Sequence, residues 1–319
     1  MNLKLSHLRL IAAVAELGQL QVAAAQLALT QPAASRMLAD IERIVRAPVF
    51  ERHPKGMTLT PVGRVLARRA QAMIVTMHDL EAEVDELRQG RSGAVRVGSV
   101  TGPAVGSMVP AIRQLRGHAP DAQVAVDVAP SGQLMRGLMA GDYDFVIARL
   151  TPDLRQSDFV MHPAGSEIVR FLARRDHPMS SQRGVSLEAL SRYEWIIQER
   201  GTPVRHTVEE ALALSGAPLP AHVITTSSLL VMMALLVDSN AIAPVSAEVV
   251  SLMTGPGMGR FAALDVAGDM VVPPYYVIEV RGRQMSAIAA RLRALVLAEL
   301  RAADRTTHHP PPPRQNAAR

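Results

Sequence analysis

Apolar and polar positions between residues 20 and 50 predict two short helices joined by a tight turn. A close-packing first helix is suggested by Ala23, Ala24, Ala25 and Leu27, and it breaks at 28–30. Thr30 is a suitable N-cap, because its hydroxyl can accept from a free backbone N–H, and Pro32 fits the first turn of the helix that follows. The apolar side of this second helix is formed by Met37, Leu38, Ile41 and Ile44. Two such helices are typical of a helix-turn-helix.

Residues 50–61, FERHPKGMTLTP, predict a short β-hairpin, or wing, with a basic tip. Gly56 supplies its turn, and Arg52 and Lys55 are placed to contact phosphates of a DNA duplex. The DNA-binding domain is expected to cover residues 1–60.

Pro61 begins a longer amphipathic run, which predicts one helix over residues 61–90. Its apolar residues alternate at spacings of four and three: Leu66, Ala70, Met73, Met77, Leu80, Val84 and Leu87. Such a seam is typical of a coiled coil, so two copies are expected to pair as a dimer. Packing of the helix on its own domain is the alternative. Residues 90–93 then suggest a hinge.

From Ala94 the chain alternates strands and helices. The expected strands are 95–100, 122–128, 143–149, 169–173, 194–198, 223–226, 241–244 and 275–281, and the expected helices are 102–116, 131–140, 203–214, 229–237 and 285–301. This order predicts parallel-rich sheets flanked by helices. The fold class is therefore multidomain α + α/β. Its last domain, residues 91–303, is expected to form two subdomains around a cleft: one of about 91–150 with 267–303, the other of about 151–266.

Composition and charge narrow the function classes. The 319 residues are 48% hydrophobic but only 3% aromatic, which predicts aliphatic cores, and the absence of cysteine excludes disulfides and cysteine catalysis. Residues 1–70 contain ten Lys and Arg against four Asp and Glu, a surplus placed where attraction to DNA phosphates requires it. With no signal peptide or membrane-length apolar span, we expect a cytoplasmic protein without a membrane partner. The proline-rich residues 304–319 predict a disordered tail.

Enzymatic motifs are missing from the sequence. Gly98, Gly102 and Gly106 follow a strand, but their spacing fits neither a dinucleotide-binding nor a P-loop motif. The pair His308-His309 lies in the expected tail and is not predicted to bind a metal. We therefore expect no catalysis, no cofactor and no metal site.

Ligands of open α/β sheets bind beyond the carboxyl ends of strands, where helices begin. Residues at these positions are Val100, Thr101, Gly102, Ser131, Gly132, Arg149, Thr202 and Ser227. Their hydroxyls and free N–H groups suit a carboxylate or a polyol. Helix capping is the better interpretation for Thr202 and Ser227 taken singly. Arg149 could instead brace a hinge by hydrogen-bonding backbone carbonyls.

Taken together, residues 3–61 resemble the winged helix-turn-helix domain of LysR-type transcriptional regulators. The matching elements are LxHLR at 5–9, the AA…L…TQPAAS core, Ile41-Glu42, PVFER and LTPVG. One departure is Arg46, where the family usually has glycine. If that position needs a positive φ, arginine costs about 1 kcal/mol there. The alternating region resembles the family's effector-binding domain, which is similar to periplasmic solute-binding proteins, so the resemblance covers about residues 3–300.

The resemblance implies a sequence-specific regulator of transcription controlled by a small molecule. The helix that begins at Thr30 would enter the major groove of double-stranded DNA, with Gln31, Ser35 and Arg36 reading base edges and Pro32 and Ala33 touching thymine methyl groups. Phosphate contacts would come from Arg52, Lys55 and Arg64. Family precedent also implies homotetramers built from homodimers.

The segments 98–106, 129–134 and 172–178 resemble the branch that includes regulators of sugar-binding-protein and aromatic-catabolism genes. A sugar, a sugar acid or an aromatic acid is therefore the expected effector, contacted by Thr101 and Ser131 in particular. Two alternatives remain open: a solute-binding or sensor protein without a DNA role, and a constitutive architectural DNA binder.

Overall fold

The structure is a computed structural model that describes residues 2–54, 56–89, 93–257 and 259–307. The chain divides into two compact units, Met1–Arg91 with Met139–Asp142, and Ser92–Leu138 with Tyr143–Arg319. The elements of the first unit are α1 (Leu5–Leu17), α2 (Leu20–Gln26), α3 (Gln31–Val45), β1 (Phe50–His53), β2 (Gly56–Leu59) and α4 (Pro61–Gln89). The predicted helix-turn-helix, antiparallel wing and long helix are thus confirmed.

The first unit is organised around an aliphatic core in which α1, α2 and α3 meet. Leu10, Ile11, Ala23 and Ile41 are fully buried there. Helix α3 begins as its sequence predicts: the Thr30 hydroxyl accepts from the backbone N–H of Ala33 at 3.4 Å. This cap leaves the polar start of α3 exposed while its apolar side packs.

The chain between α3 and α4 is fixed by side-chain contacts with the backbone. Oε1 of Glu42 accepts from the N–H of Val49 at 2.8 Å. The Thr60 hydroxyl donates to the carbonyl of Pro48 at 2.8 Å and accepts from the N–H of Gly63 at 2.9 Å. These bonds give the Ile41-Glu42 and LTPVG motifs a structural role.

Gly63→Ala is expected to lower the free energy of unfolding by about 2 kcal/mol, the usual cost of overpacking. A methyl group at Gly63 would lie 2.0 Å from the carbonyl oxygen of Val49, so backbone would have to move. Urea denaturation measures the change. The matched control is Gly117→Ala, because a methyl group there meets nothing within 4 Å and the helical site favours alanine. Equal effects of the two substitutions would contradict the packing argument.

Arg46 adopts the left-handed conformation that the family's glycine suggested, with φ 58° and ψ 31°. Its backbone N–H donates to the carbonyl of Glu42 and closes α3. The side chain is exposed. The residue therefore costs about 1 kcal/mol relative to glycine.

The apolar seam of α4 divides into two halves. Leu66 and Ala70 pack in the core of the first unit, whereas Met73, Met77, Leu80 and Val84 are more than one-third exposed. Packing on its own domain is thus correct for the first half. The side chain of Leu87 and the hinge residues 90–92 lie outside the described residues. Pairing of two chains through the exposed half stays a prediction.

The second unit contains two subdomains. The first holds β3 (Ala94–Ser99), α5 (Thr101–Pro103), a π-helical turn (Ala104–Met108), α6 (Val109–His118), β4 (Gln123–Val128), α7 (Ser131–Ala140), β5 (Phe145–Ala148) and β6 (Phe159–Gly165). The second holds β7 (Ile168–Arg174), α8 (Leu187–Leu190), β8 (Trp195–Ile197), α9 (Pro203–Ser215), β9 (Val223–Thr225), α10 (Leu229–Val237), β10 (Ala243–Ser246), α11 (Ala247–Thr254), β11 (Phe261–Leu264) and β12 (Met270–Val271). The chain then returns to the first with β13 (Tyr275–Val280) and α12 (Ala287–Thr307).

Sheet pairing corrects two expectations. The first sheet has the order β4-β3-β5-β13-β6, and β13 runs antiparallel to both of its neighbours. In the second subdomain β7 pairs antiparallel with β10, β11 and β12, so the sheets are mixed rather than parallel-rich. Strand β6, placed by the sequence in the second subdomain, belongs to the first sheet, and β12, placed in the first, pairs with β7.

Each subdomain has its own core. Val97, Phe145 and Val277 are fully buried in the first, while Phe171 and Trp195 meet edge to face at 5.4 Å in the second. In the described part of the chain, no helix combines the length and apolar character needed to cross a bilayer.

Candidate functional site

The start of α3 presents the residues expected to read DNA. Thr30, Gln31, Pro32 and Arg36 are exposed, and Ala33 and Ser35 are partly exposed. Nε of Arg36 donates to the carbonyl of Pro32 at 3.4 Å. The backbone of the same turn thus orients the guanidinium on the exposed side of the helix.

An open groove of about 620 Å³ separates α3 from the wing. It is lined by Gln19, Leu20, Gln21, Gln31, Ser35, Arg52, His53, Pro54, Gly56 and Met57. The structure therefore brings Gln31, Ser35 and Arg52 together. Gln19 and Gln21, at the start of α2, were not among the predicted site residues. The signal available for them was their polar character at the start of a helix that packs beside α3.

Basic residues near this groove differ in how they are engaged. Arg52 is exposed. Nη1 of Arg64 donates to the carbonyl of Leu59 at 3.0 Å, which holds that exposed side chain beside the base of the wing. Arg43 forms an ion pair with Asp40, and the hydrogen bond from Arg43 lowers the pKa of the Asp40 carboxyl. The charge of Arg43 is thereby offset. Lys55 lies outside the described residues.

The second candidate site lies where the two subdomains of the second unit meet, the position at which the sequence predicts a cleft. Thr101 begins α5 directly after β3, and Val100 and Gly102 on either side of it are buried. Ser131 begins α7, and its hydroxyl accepts from the backbone N–H of Arg149 at 3.1 Å. Gly132, the next residue of α7, is partly exposed.

Arg149 acts as a brace between the two crossovers. Its Nη2 lies 2.6 Å from Oε2 of Glu167, after β6, and its Nε donates to the carbonyl of Pro273, before β13, at 2.8 Å. The guanidinium also lies 5.8 Å from the centre of the Tyr275 ring. The charge of Arg149 is matched by a buried carboxylate. These contacts therefore favour a role in bracing the hinge over a role in binding an anion.

Thr202 and Ser227 lie beside helix starts of the second subdomain. The Thr202 hydroxyl donates to the carbonyl of Glu199 at 2.8 Å, just before α9. Ser227 is exposed, and the cap of α10 is its neighbour Ser228, whose hydroxyl accepts from Val231 at 3.3 Å. Nothing in these contacts brings Thr202 or Ser227 to Thr101 or Ser131.

Two residues of this region were missed. Ser246 and Glu248, at the start of α11, face Gly102 of the first subdomain. Their signal was the rule that located the other candidates, since Ser246 is the last residue of β10 and Glu248 follows that strand. The rule could not be applied to them because α11 was not predicted.

Comparisons with known proteins identify both domains. Residues 5–64 match the model described as "Bacterial regulatory helix-turn-helix protein, lysR family", and residues 88–301 match "LysR substrate binding domain". The regulator GbpR of Rhizobium radiobacter is 36% identical over 79% of this chain and 84% of its own. GbpR of Azospirillum brasilense is 32% identical over 96% and 88%.

A solved structure supports the fold. Full-length CbnR in complex with its target DNA is similar to this chain with a TM-score of 0.54 at 20% identity, over 93% of this chain and all of that one. The two family models together account for the helix-turn-helix, the wing and the two-subdomain region. The chain therefore belongs to the LysR family of DNA-binding transcriptional regulators.

Proposed function

We propose that α3 enters the major groove of a target site, with Gln31, Ser35 and Arg36 contacting base edges. The observation that supports this most is the groove that α3 forms with the wing, because it combines polar side chains with an exposed arginine. Pro32 and Ala33 would touch thymine methyl groups, and Thr30 would contact the backbone at the helix start.

Phosphate contacts are assigned to Arg52, Lys55 and Arg64. Phosphates position a protein on DNA without reading sequence, so these residues would set affinity more than specificity. The exposed half of the α4 seam supports pairing of two chains, which would present two reading helices to successive half-sites. Homotetramers of such dimers follow from family precedent.

The effector is proposed to bind in the cleft near Val100, Thr101, Gly102, Ser131 and Gly132. It controls the regulator by binding one arrangement of the subdomains better than the other. A sugar, a sugar acid or an aromatic acid remains the expected class. Because its proposed partner is DNA, we place the protein in the cytoplasm. The family consists of transcriptional regulators, so we assign it no catalytic role.

The helix-turn-helix match argues against a solute-binding protein without a DNA role. The match to a substrate-binding domain argues against a constitutive architectural binder. Binding of a promoter fragment that does not respond to any metabolite would favour the latter.

Binding to the promoter fragment of the chain's own gene is expected to weaken steeply with salt. Arg52→Ala should reduce the slope of log affinity against log salt by about 0.9 for each phosphate that the protein no longer neutralises. Arg113→Ala, which removes the same charge from an exposed position on α6, should leave the slope unchanged. Fluorescence anisotropy at several salt concentrations measures both. Salt-independent binding, or equal slopes for wild type and Arg52→Ala, would contradict the assignment.

A further inference from the structure

Three side-chain oxygen atoms lie close to Gly102 of the first subdomain. One belongs to Glu167, which follows β6, and two belong to the start of α11 in the second subdomain. A methyl group at Gly102 would lie 2.5 Å from Oε1 of Glu167, 3.0 Å from Oγ of Ser246 and 3.1 Å from Oε2 of Glu248. A methyl group at Gly106 would lie 2.7 Å from Cγ of Glu248. The start of α11 therefore touches α5 and the π-helical turn directly, and a side chain larger than that of glycine at Gly102 or Gly106 would force the neighbouring side chains to shift.

Two of these oxygens have no hydrogen-bond partner among the described residues, namely Oγ of Ser246 and Oε2 of Glu248. Ser246 is only 4% exposed. Its backbone has N-cap geometry at the start of α11, yet its hydroxyl makes no capping bond and lies toward Gly102 instead. Since buried polar atoms in proteins nearly always have a partner, this pair points to one that comes from outside the chain.

The chemistry of the partner follows from the charges around it. Glu167 and Glu248 both lie beside Gly102 and repel an anion, while the guanidinium of Arg149 is matched by Glu167. Glu248 lies in the first turn of α11, where the helix dipole stabilises its negative charge. What Ser246 and Glu248 lack is donors, and a hydroxyl supplies a donor without charge.

We propose that Ser246 and Glu248 form the second-subdomain half of the effector site, and that the effector is a neutral, polyhydroxylated compound. This inference rests on the proposed function of the cleft as the effector site. Of the three expected effector classes, it selects a sugar over a sugar acid or an aromatic acid. Its hydroxyls donate to Glu248 and Ser246 and replace the contact with Gly102, so binding moves α11 away from α5. That movement distinguishes the bound from the free arrangement.

The test uses the purified full-length chain and isothermal titration with neutral aldopentoses and aldohexoses, the matching aldonic and uronic acids, and benzoate. We expect a neutral sugar to bind and its acids to bind at least about tenfold more weakly. Ser246→Ala and Glu248→Gln should each weaken the sugar about tenfold, the usual loss for a hydrogen bond with a charged or buried group. Ser246→Ala should also keep or raise the Tm of the free chain, because it removes a buried oxygen without a partner.

Matched controls are Ser251→Ala, at an exposed position of α11, and Glu188→Gln, in the first turn of α8. Both should bind the sugar as wild type does. Binding of acids alone, of no neutral sugar, or of a sugar whose affinity is unchanged in Ser246→Ala and Glu248→Gln overturns the inference. Promoter binding is measured in parallel: a regulator that binds DNA and responds to benzoate retains the proposed function while the polyol assignment fails.

Discussion

Glu167→Gln is expected to lower the free energy of unfolding of the second unit by about 3 kcal/mol, the cost of leaving a buried charge without its partner. The side chains of Arg149 and Glu167 are only 13% and 5% exposed, so water cannot replace the missing carboxylate. Urea denaturation followed by the fluorescence of Trp195, which lies in the core of the second subdomain, measures the change.

The matched control is Glu188→Gln, which breaks an exposed pair with Arg192 and should cost no more than about 0.5 kcal/mol. The double variant Arg149→Met/Glu167→Leu should recover much of the stability, because two apolar side chains leave no charge behind. A double variant that is less stable than Glu167→Gln would instead show that Arg149 stabilises the fold mainly through its hydrogen bond to Pro273 and its contact with the Tyr275 ring.

The pair Arg149–Glu167 also differs from Ser246 and Glu248 in the role that we propose for it. Arg149 ties together the two segments through which the chain passes between the subdomains, and it uses Glu167 for this purpose. Ser246 and Glu248, on the other wall, keep oxygens that have no partner among the described residues. The polar groups of Arg149 thus have partners within the chain, whereas the oxygens of Ser246 and Glu248 are the ones that we propose the effector contacts.

Local patterns in the sequence predicted most of the helices, although not α8 or α11. The run of apolar residues after Ser228 defined α10 at 229–237, and Thr30 with Pro32 defined the start of α3. These features depend on residues a few positions apart, so the chain itself carries the signal. For the same reason the candidate DNA-reading residues Gln31, Ser35 and Arg36 could be named from the sequence alone.

The pairing of the strands could be predicted from the sequence less well than the helices. Strand β6 contains His162 and Pro163, which weaken its alternation of apolar and polar residues. The proline is tolerated there because β6 is the edge strand of its sheet. Its partner β13 begins at Tyr275, 110 residues after β6 ends at Gly165, and no local pattern indicates such a distant pairing. Because α11 was not predicted, the approach of Ser246 to Gly102 could not be predicted either, since it depends on how the two subdomains close.

Arg36→Ala is expected to lower affinity for the target site by about ten- to hundredfold, since a bidentate arginine–guanine contact contributes about 1–3 kcal/mol of discrimination. Affinity for unrelated DNA of the same length should change far less, because that binding depends on phosphate contacts. Arg36→Lys retains the charge but removes the planar fork, so it should keep the non-specific affinity and reduce the discrimination. Arg43→Ala is the matched control, because it removes an arginine of the same helix whose charge Asp40 already offsets.

A cycle with modified DNA separates base reading from a structural effect on α3. Replacing each guanine of the half-site in turn by 7-deazaguanine removes the N7 acceptor without changing the phosphates. At the contacted base this should weaken wild type by about tenfold and leave Arg36→Ala unaffected, because the same bond can be removed only once. Fully additive effects at every guanine would show that Arg36 does not read a base, and the reading of sequence would then rest on Gln31 and Ser35, which line the groove beside the wing.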